Sequence, residues 1–258
     1  MERAATASPG AANLLKPQLY REALAALSAR PLRRTAAALV IPDYSVRMAI
    51  LDFEEFPSGD EERTALLRFR LRKSVPFHIE EAQLAYAIQV NQPKHIEVLV
   101  VAVAGPILHE YESVFTDAGY RVGLVMPSSI AALRLCSTSE KELTLLAKAA
   151  GSTLSVLLLQ QNRVRLVRSL DLAGGEEELR REEQTVLPLL QQTLAYAEDQ
   201  IGEPVSRILM CGFGAETERL GRLAQREFRI PYEQVRSRFG AATQENAGLL
   251  GLLEQYAA

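Results

Sequence analysis

On either side of a short polar break at Cys136–Lys141, the chain runs through the same succession of segments. Each side has several apolar runs of strand length, then segments with helical spacing, then a strand followed by a helix. Strands interleaved with helices bury a sheet beneath helices, which places the chain in the α/β class. Two such successions predict two lobes, residues 1–139 and 140–258. A chain of 258 residues can enclose both cores without a disulfide or metal staple. No residue-level repeat accompanies the pattern, so the likeness of the halves is architectural.

In the first lobe, Pro17 opens a helix with Leu19, Ala23, Leu24 and Leu27 on one face, and Arg30-Pro31 ends it. Strands are expected over Ala36–Ile41 and Val46–Phe53, joined by the turn Pro42-Asp43-Tyr44-Ser45. A charged helix follows over Asp60–Ser74, and Val75-Pro76-Phe77 breaks it. Gln83–Val90 and Ile96–Val103 read as an antiparallel hairpin about Asn91–Lys94. A helix from Pro106 ends at Gly119, where a left-handed residue suits the C-terminus. Strand Arg121–Val125 and helix Ser128–Leu135 close this half. The second lobe has strands at Leu143–Ala147, Leu154–Leu159 and Arg163–Ser169, then a long helix over Glu176–Ile201 that Pro188 should kink or divide. Strand Arg207–Cys211, a helix over Glu216–Glu227, a short strand at Pro231–Val235 and a helix over Gln244–Gln255 complete it.

A net charge of −3 provides no general attraction to nucleic acid or anionic lipid. The longest apolar runs, Glu97–Ala104 and Leu154–Leu159, are far short of the roughly 20 residues that span a bilayer. Met1–Gly10 lacks the apolar centre of a signal peptide. A cytoplasmic protein is expected, reaching a membrane only through a partner. Cys136 and Cys211 form no C-x-x-C pair and read as small buried hydrophobes.

Catalytic signatures are missing: the sequence has no G-x-S-x-G, H-E-x-x-H or G-x-x-x-x-G-K-[ST]. His78, His95 and His109 have no ligand spacing to one another or to a cysteine, so they read as unrelated imidazoles and no metal site is expected. Asp43, Asp52 and Asp171 lie near strand ends, where carboxylates can hold the waters of Mg²⁺ but more commonly cap turns. Glycines that would let a phosphate approach occur at Gly151-Ser152-Thr153, Gly174-Gly175 and Gly212-Phe213-Gly214. Glu176, Glu177 and Glu178 already satisfy the helix dipole behind the second of these and would repel a phosphate. One dense basic stretch, Arg63, Arg68, Arg70, Arg72 and Lys73, places Arg68 and Arg72 on one helix face. It reads either as a solvated face balanced by Asp60, Glu61 and Glu62 or as a surface for an acidic partner, lipid headgroups or nucleic acid, the last disfavoured by the acidic net charge and the aromatic-poor helix.

Three stretches taken together resemble a known family: Ala38–Asp43 with Val46–Phe53; Leu66–Phe77 leading into Tyr86 and Val98–Ala104; and Arg207–Gly214 with its following helix. Their order is similar to that of the type IV pilus assembly protein PilM family, over roughly residues 14–256. The most specific piece is the helix that runs into Val-Pro-Phe, an acidic turn and a strand.

The resemblance implies an actin-like fold of two ribonuclease-H-like lobes, with a small subdomain inserted at about residues 76–120. It also implies a scaffold beneath the bacterial inner membrane that grips the cytoplasmic N-terminal peptide of a PilN-like membrane protein, with Arg68 and Arg72 as candidate partner contacts. Candidate nucleotide contacts are Gly151, Ser152, Ser155, Gly174, Gly175, Gly212 and Gly214, for ATP with Mg²⁺.

Two departures count against catalysis. The strand–Asp-x-Gly–strand unit that normally opens this fold is absent, which reads as N-terminal truncation. In the second phosphate loop, matched to Ala149, Ala150, Gly151 and Ser155, the acidic residue has become alanine. ATP hydrolysis is therefore not expected, while weak nucleotide binding stays open. Two other readings are a cytoplasmic GspL-like component of type II secretion and an ATPase or sugar-kinase-like enzyme whose phosphate loop lies upstream of Met1.

Overall fold

The computed structural model describes residues 12–27, 35–136, 141–151, 153–171, 185–243 and 245–256. It separates into two compact units, Met1–Pro127 and Ser128–Ala258.

The first unit contains α1 (Pro17–Leu27), β1 (Ala36–Ile41), β2 (Val46–Phe53), α2 (Asp60–Leu71), β3 (Ala82–Gln92), β4 (His95–Ala104), α3 (Gly105–Asp117) and β5 (Arg121–Pro127). β1 and β5 pair in parallel, and β2, β4 and β3 form an antiparallel sheet with β4 in the middle. Pro42 and the tight turn Asp43–Ser45 therefore send β1 and β2 into different pairings. Residues 82–104, within the span expected to form an inserted subdomain, are hydrogen-bonded into the same sheet as Val46–Phe53.

Alternation along β4 divides the core of this unit. Val98, Val100 and Ala102 pack with Leu67, Leu71 and Ile79, while Val103 packs with Leu39, Ile41, Ile107 and Val114. In α2 the acidic residues Asp60, Glu61 and Glu62 occupy the first turn and Arg68 and Arg70 the last, matching the helix dipole at both ends.

The second unit contains α4 (Ser128–Ala132), β6 (Leu143–Ala150), β7 (Thr153–Gln160), β8 (Arg163–Asp171), α5 (Val186–Tyr196), β9 (Val205–Cys211), α6 (Thr217–Phe228), β10 (Tyr232–Gln234), the small pair β11 (Arg236–Ser237) and β12 (Gly240–Ala241), and α7 (Ala247–Tyr256). Five strands form a mixed sheet ordered β10-β9-β6-β7-β8. β6, β7 and β8 are antiparallel, and β9 and β10 run parallel to β6.

β7 is buried along its whole length and β6 along all but its last residue, as expected of central strands covered on both faces. On one face Leu145, Ala147, Val156, Leu158 and Met210 meet Val186 and Leu190 of α5 and Leu220 and Ala224 of α6. α7 rests on α4, with Gly251 against the backbone of Ala131. Residues 128–135, which the polar break assigned to the first lobe, thus belong with the second unit because the C-terminal helix packs on them.

Pro188 lies in the first turn of α5, where its missing N–H forfeits no intrahelical bond. The N-terminal part of the long helix expected from Glu176 falls largely outside the described residues, as do Ser152, Gly174 and Gly175. The helix loosens into a wider turn at Ala197–Ile201 and ends at Gly202, whose φ of 78° is left-handed.

Candidate functional site

Two places hold the residues singled out in the sequence. The first is the carboxyl end of β6 and β9 in the second unit. Parallel neighbours in an α/β sheet collect loops at this end, where ligands of such folds commonly bind. Here the β6–β7 turn contains Gly151 at φ 58°, and the β9–α6 loop contains Gly212 and Gly214 at φ 84° and 59°. The β9–α6 loop presses on the end of β6: a Cβ on Gly212 would lie 1.9 Å from the carbonyl oxygen of Ala149. Phe213 between the glycines is buried in the core. Thr217 donates its hydroxyl to the Gly214 carbonyl at 2.9 Å, and Glu216 and Glu218 bring negative charge to the start of α6.

Just beneath the loops lies a row of polar side chains, of which sequence reasoning singled out Ser155 but missed Lys148 and Ser169. Lys148 is fully buried, opposite Cys211 on one side and Ser155 on the other, and Ser155 is opposite Ser169 at 3.5 Å between hydroxyl oxygens. The signal was one charge in the apolar run Leu143–Ala150. The strand was expected to end at Ala147, which left Lys148 outside it. Ser155 is fully buried in this row. Cys211 is also fully buried, as expected, whereas Cys136 is partly exposed. Desolvation, then the neighbouring Cys211, pushes the Cys136 thiol up to about 12, which makes it a poor nucleophile.

The second place is the corner between α2 and the start of β3. Arg68 is engaged within its own unit. One of its terminal nitrogens donates to the carbonyl of Ile79 and the other to that of Ala82 at 2.9 Å, clamping the helix to the turn ahead of β3. Arg72, one turn on, pairs with Glu80 on the surface. Arg63 donates to the Pro57 carbonyl at 2.5 Å, and the Arg70 guanidinium lies over the Phe53 ring at 5.0 Å. Much of the basic stretch thus holds its own helix in place, and Phe69 between Arg68 and Arg70 is 71% exposed. Arg68→Lys is expected to lower stability by about 1–2 kcal/mol in urea unfolding with an unchanged slope, because an ammonium lacks the fork that serves both carbonyls. Arg72→Ala is expected to change it by less than about 1 kcal/mol, as for exposed ion pairs generally.

No family model and no curated protein matches the sequence. Solved structures do match. A PilM-PilN type IV pilus biogenesis complex superposes with a TM-score of 0.75 at 18% identity, over 95% of this chain and 87% of that one. The cytoplasmic domain of EpsL, an inner-membrane component of the type II secretion system of Vibrio cholerae, superposes at 0.50 with 12% identity, over 96% and 82%. The chain has a PilM-like, actin-like fold.

Gly151, Gly212 and Gly214 keep backbone turns that suit close approach of a ligand. Ala149, the position matched in the sequence to the acid of a phosphate loop, is a buried apolar residue packed in the core and offers no oxygen to the waters of Mg²⁺. No helix among the described residues is long and apolar enough to cross a membrane.

Proposed function

We propose that this chain is a non-catalytic scaffold of a type IV pilus assembly machine, and that it binds the cytoplasmic N-terminal peptide of a PilN-like inner-membrane protein. The superposition on the PilM-PilN complex over 95% of the chain carries this reading. The alanine at position 149 supports the non-catalytic part.

A peptide partner needs backbone groups to pair with, and the first unit offers them. In its three-stranded sheet β3 is an edge strand of 11 residues, and β2 is the opposite edge. An extended segment added to either edge gains main-chain hydrogen bonds, with alternate side chains supplying specificity. The scaffold thereby recruits to the membrane without inserting into it.

The test is calorimetric titration with a synthetic peptide copying the cytoplasmic N-terminus of the neighbouring PilN-like protein. Saturable one-to-one binding that is indifferent to Mg-ATP is the expected result. Failure to bind, together with phosphate release from Mg-ATP, would transfer the assignment to the enzyme reading. Failure with no phosphate release would favour the secretion-system reading, for which the EpsL superposition is the structural support.

A further inference from the structure

The far end of the first unit's antiparallel sheet carries three side chains of metal-ligating type on neighbouring strands. Asp52 of β2 is directly opposite Glu97 of β4, and His95 is two residues before Glu97 on the same strand, so all three project from one face. Their ligand atoms lie within 4.8 Å of one another, and His95 Nε2 is 3.8 Å from Asp52 Oδ1.

The site has a supporting shell. Glu97 is only 7% exposed, an unusual position for a carboxylate. The pairing of β3 with β4 slips between Ile88 and Val90, and the intervening residue, Gln89, donates its Nε2 to Glu97 Oε1 at 3.1 Å. A bulge re-aims a side chain, and here it orients the buried carboxylate. Two lone pairs on each oxygen let Glu97 accept from Gln89 and still bind a cation.

We propose that Asp52, His95 and Glu97 form a binding site for a divalent first-row transition metal of the zinc type, with Gln89 as its positioning residue. The imidazole disfavours magnesium and calcium, which prefer all-oxygen shells. The two carboxylates balance the cation's charge. Ligand bonds of about 2.0–2.2 Å bring such atoms closer together than the present spread, and rotation of the exposed Asp52 and His95 side chains closes the gap. Three protein ligands leave a coordination position open to water or to a donor from a partner.

The full chain is titrated with zinc chloride against a chromophoric chelator, beside His95→Ala, Glu97→Gln and Gln89→Ala. His95 is half exposed at the start of β4, so its removal leaves the fold intact. The proposal expects one tight equivalent, at least tenfold weaker in His95→Ala and Glu97→Gln, and weakened roughly tenfold in Gln89→Ala, as for other outer-shell partners. Saturating zinc should also raise the melting temperature of the parent and not that of His95→Ala. Absence of a stoichiometric equivalent, or an equivalent that His95→Ala retains undiminished, overturns the assignment and leaves a surface His–Asp pair beside a buried glutamate.

Discussion

Alanine in place of Gly212 is expected to lower the stability of the second unit by at least about 3 kcal/mol in urea unfolding, a large fraction of a domain's total. Two causes add. A residue with a side chain at the observed φ of 84° meets the ordinary penalty of the left-handed region, about 1–2 kcal/mol. The new Cβ also falls 1.9 Å from the carbonyl oxygen of Ala149 and 2.9 Å from its carbonyl carbon, so the ends of β9 and β6 must separate. Gly151→Ala is the control, since that glycine has φ 58° and nothing within 4 Å of the added Cβ. It should lose only the conformational part, about 1 kcal/mol. Equal losses in the two variants would show that the close approach of Gly212 to the end of β6 carries no energy. The contrast also bears on function. Gly212 is required by the approach of one backbone to another, with or without a nucleotide.

Asn13→Ala is expected to destabilise the first unit by about 2–4 kcal/mol, because it strips an acceptor from two buried hydroxyls at once. Ser45 donates to Asn13 Oδ1 at 2.8 Å and Tyr111 donates to the same oxygen at 3.3 Å, with 3.2 Å between the two hydroxyls. Asn13 and Ser45 are both fully buried. The backbone N–H groups of Asn13 and Leu14 donate to the Glu110 carboxylate at 2.8 and 3.2 Å, and Leu14 enters the core beside Tyr111. Asn13 and Leu14, just ahead of α1, are thus built into the unit. Native-state hydrogen exchange should show protection at Asn13 and Leu14 that is lost in the variant. The same cluster predicts a pH effect. Burial, followed by the neighbouring Tyr44, drives the ionisation of Tyr111 far above the ordinary range for a phenol. The folded pKa exceeds the unfolded one, so this contribution is complete below about pH 10 and is lost as the pH rises above it, where the unfolded chain ionises first. Tyr111→Phe should flatten the alkaline limb of the stability profile while lowering stability at neutral pH.

What the amino-acid order determined alone is local. Ala36–Ile41 and Val46–Phe53 form strands over those same residues, and the helix expected over Asp60–Ser74 starts at Asp60 and ends at Leu71. Period, turn residues and dipole-matched charge act within a few positions, so they can be read in one dimension. The order of three separated stretches also anticipated the PilM-like fold. The roles of individual polar residues were not legible in this way. Arg68 looked like a free cation and became a clamp on two carbonyls 11 and 14 residues away. Lys148 interrupted an apolar run and entered the sheet nonetheless, between Cys211 and Ser155. His95 had no partner at ligand spacing until antiparallel pairing set Asp52 opposite Glu97, a register that no local pattern specifies. Burial and strand pairing bring together residues far apart in the chain. A side chain's partners, and hence its chemistry, were decided only when the chain closed on itself.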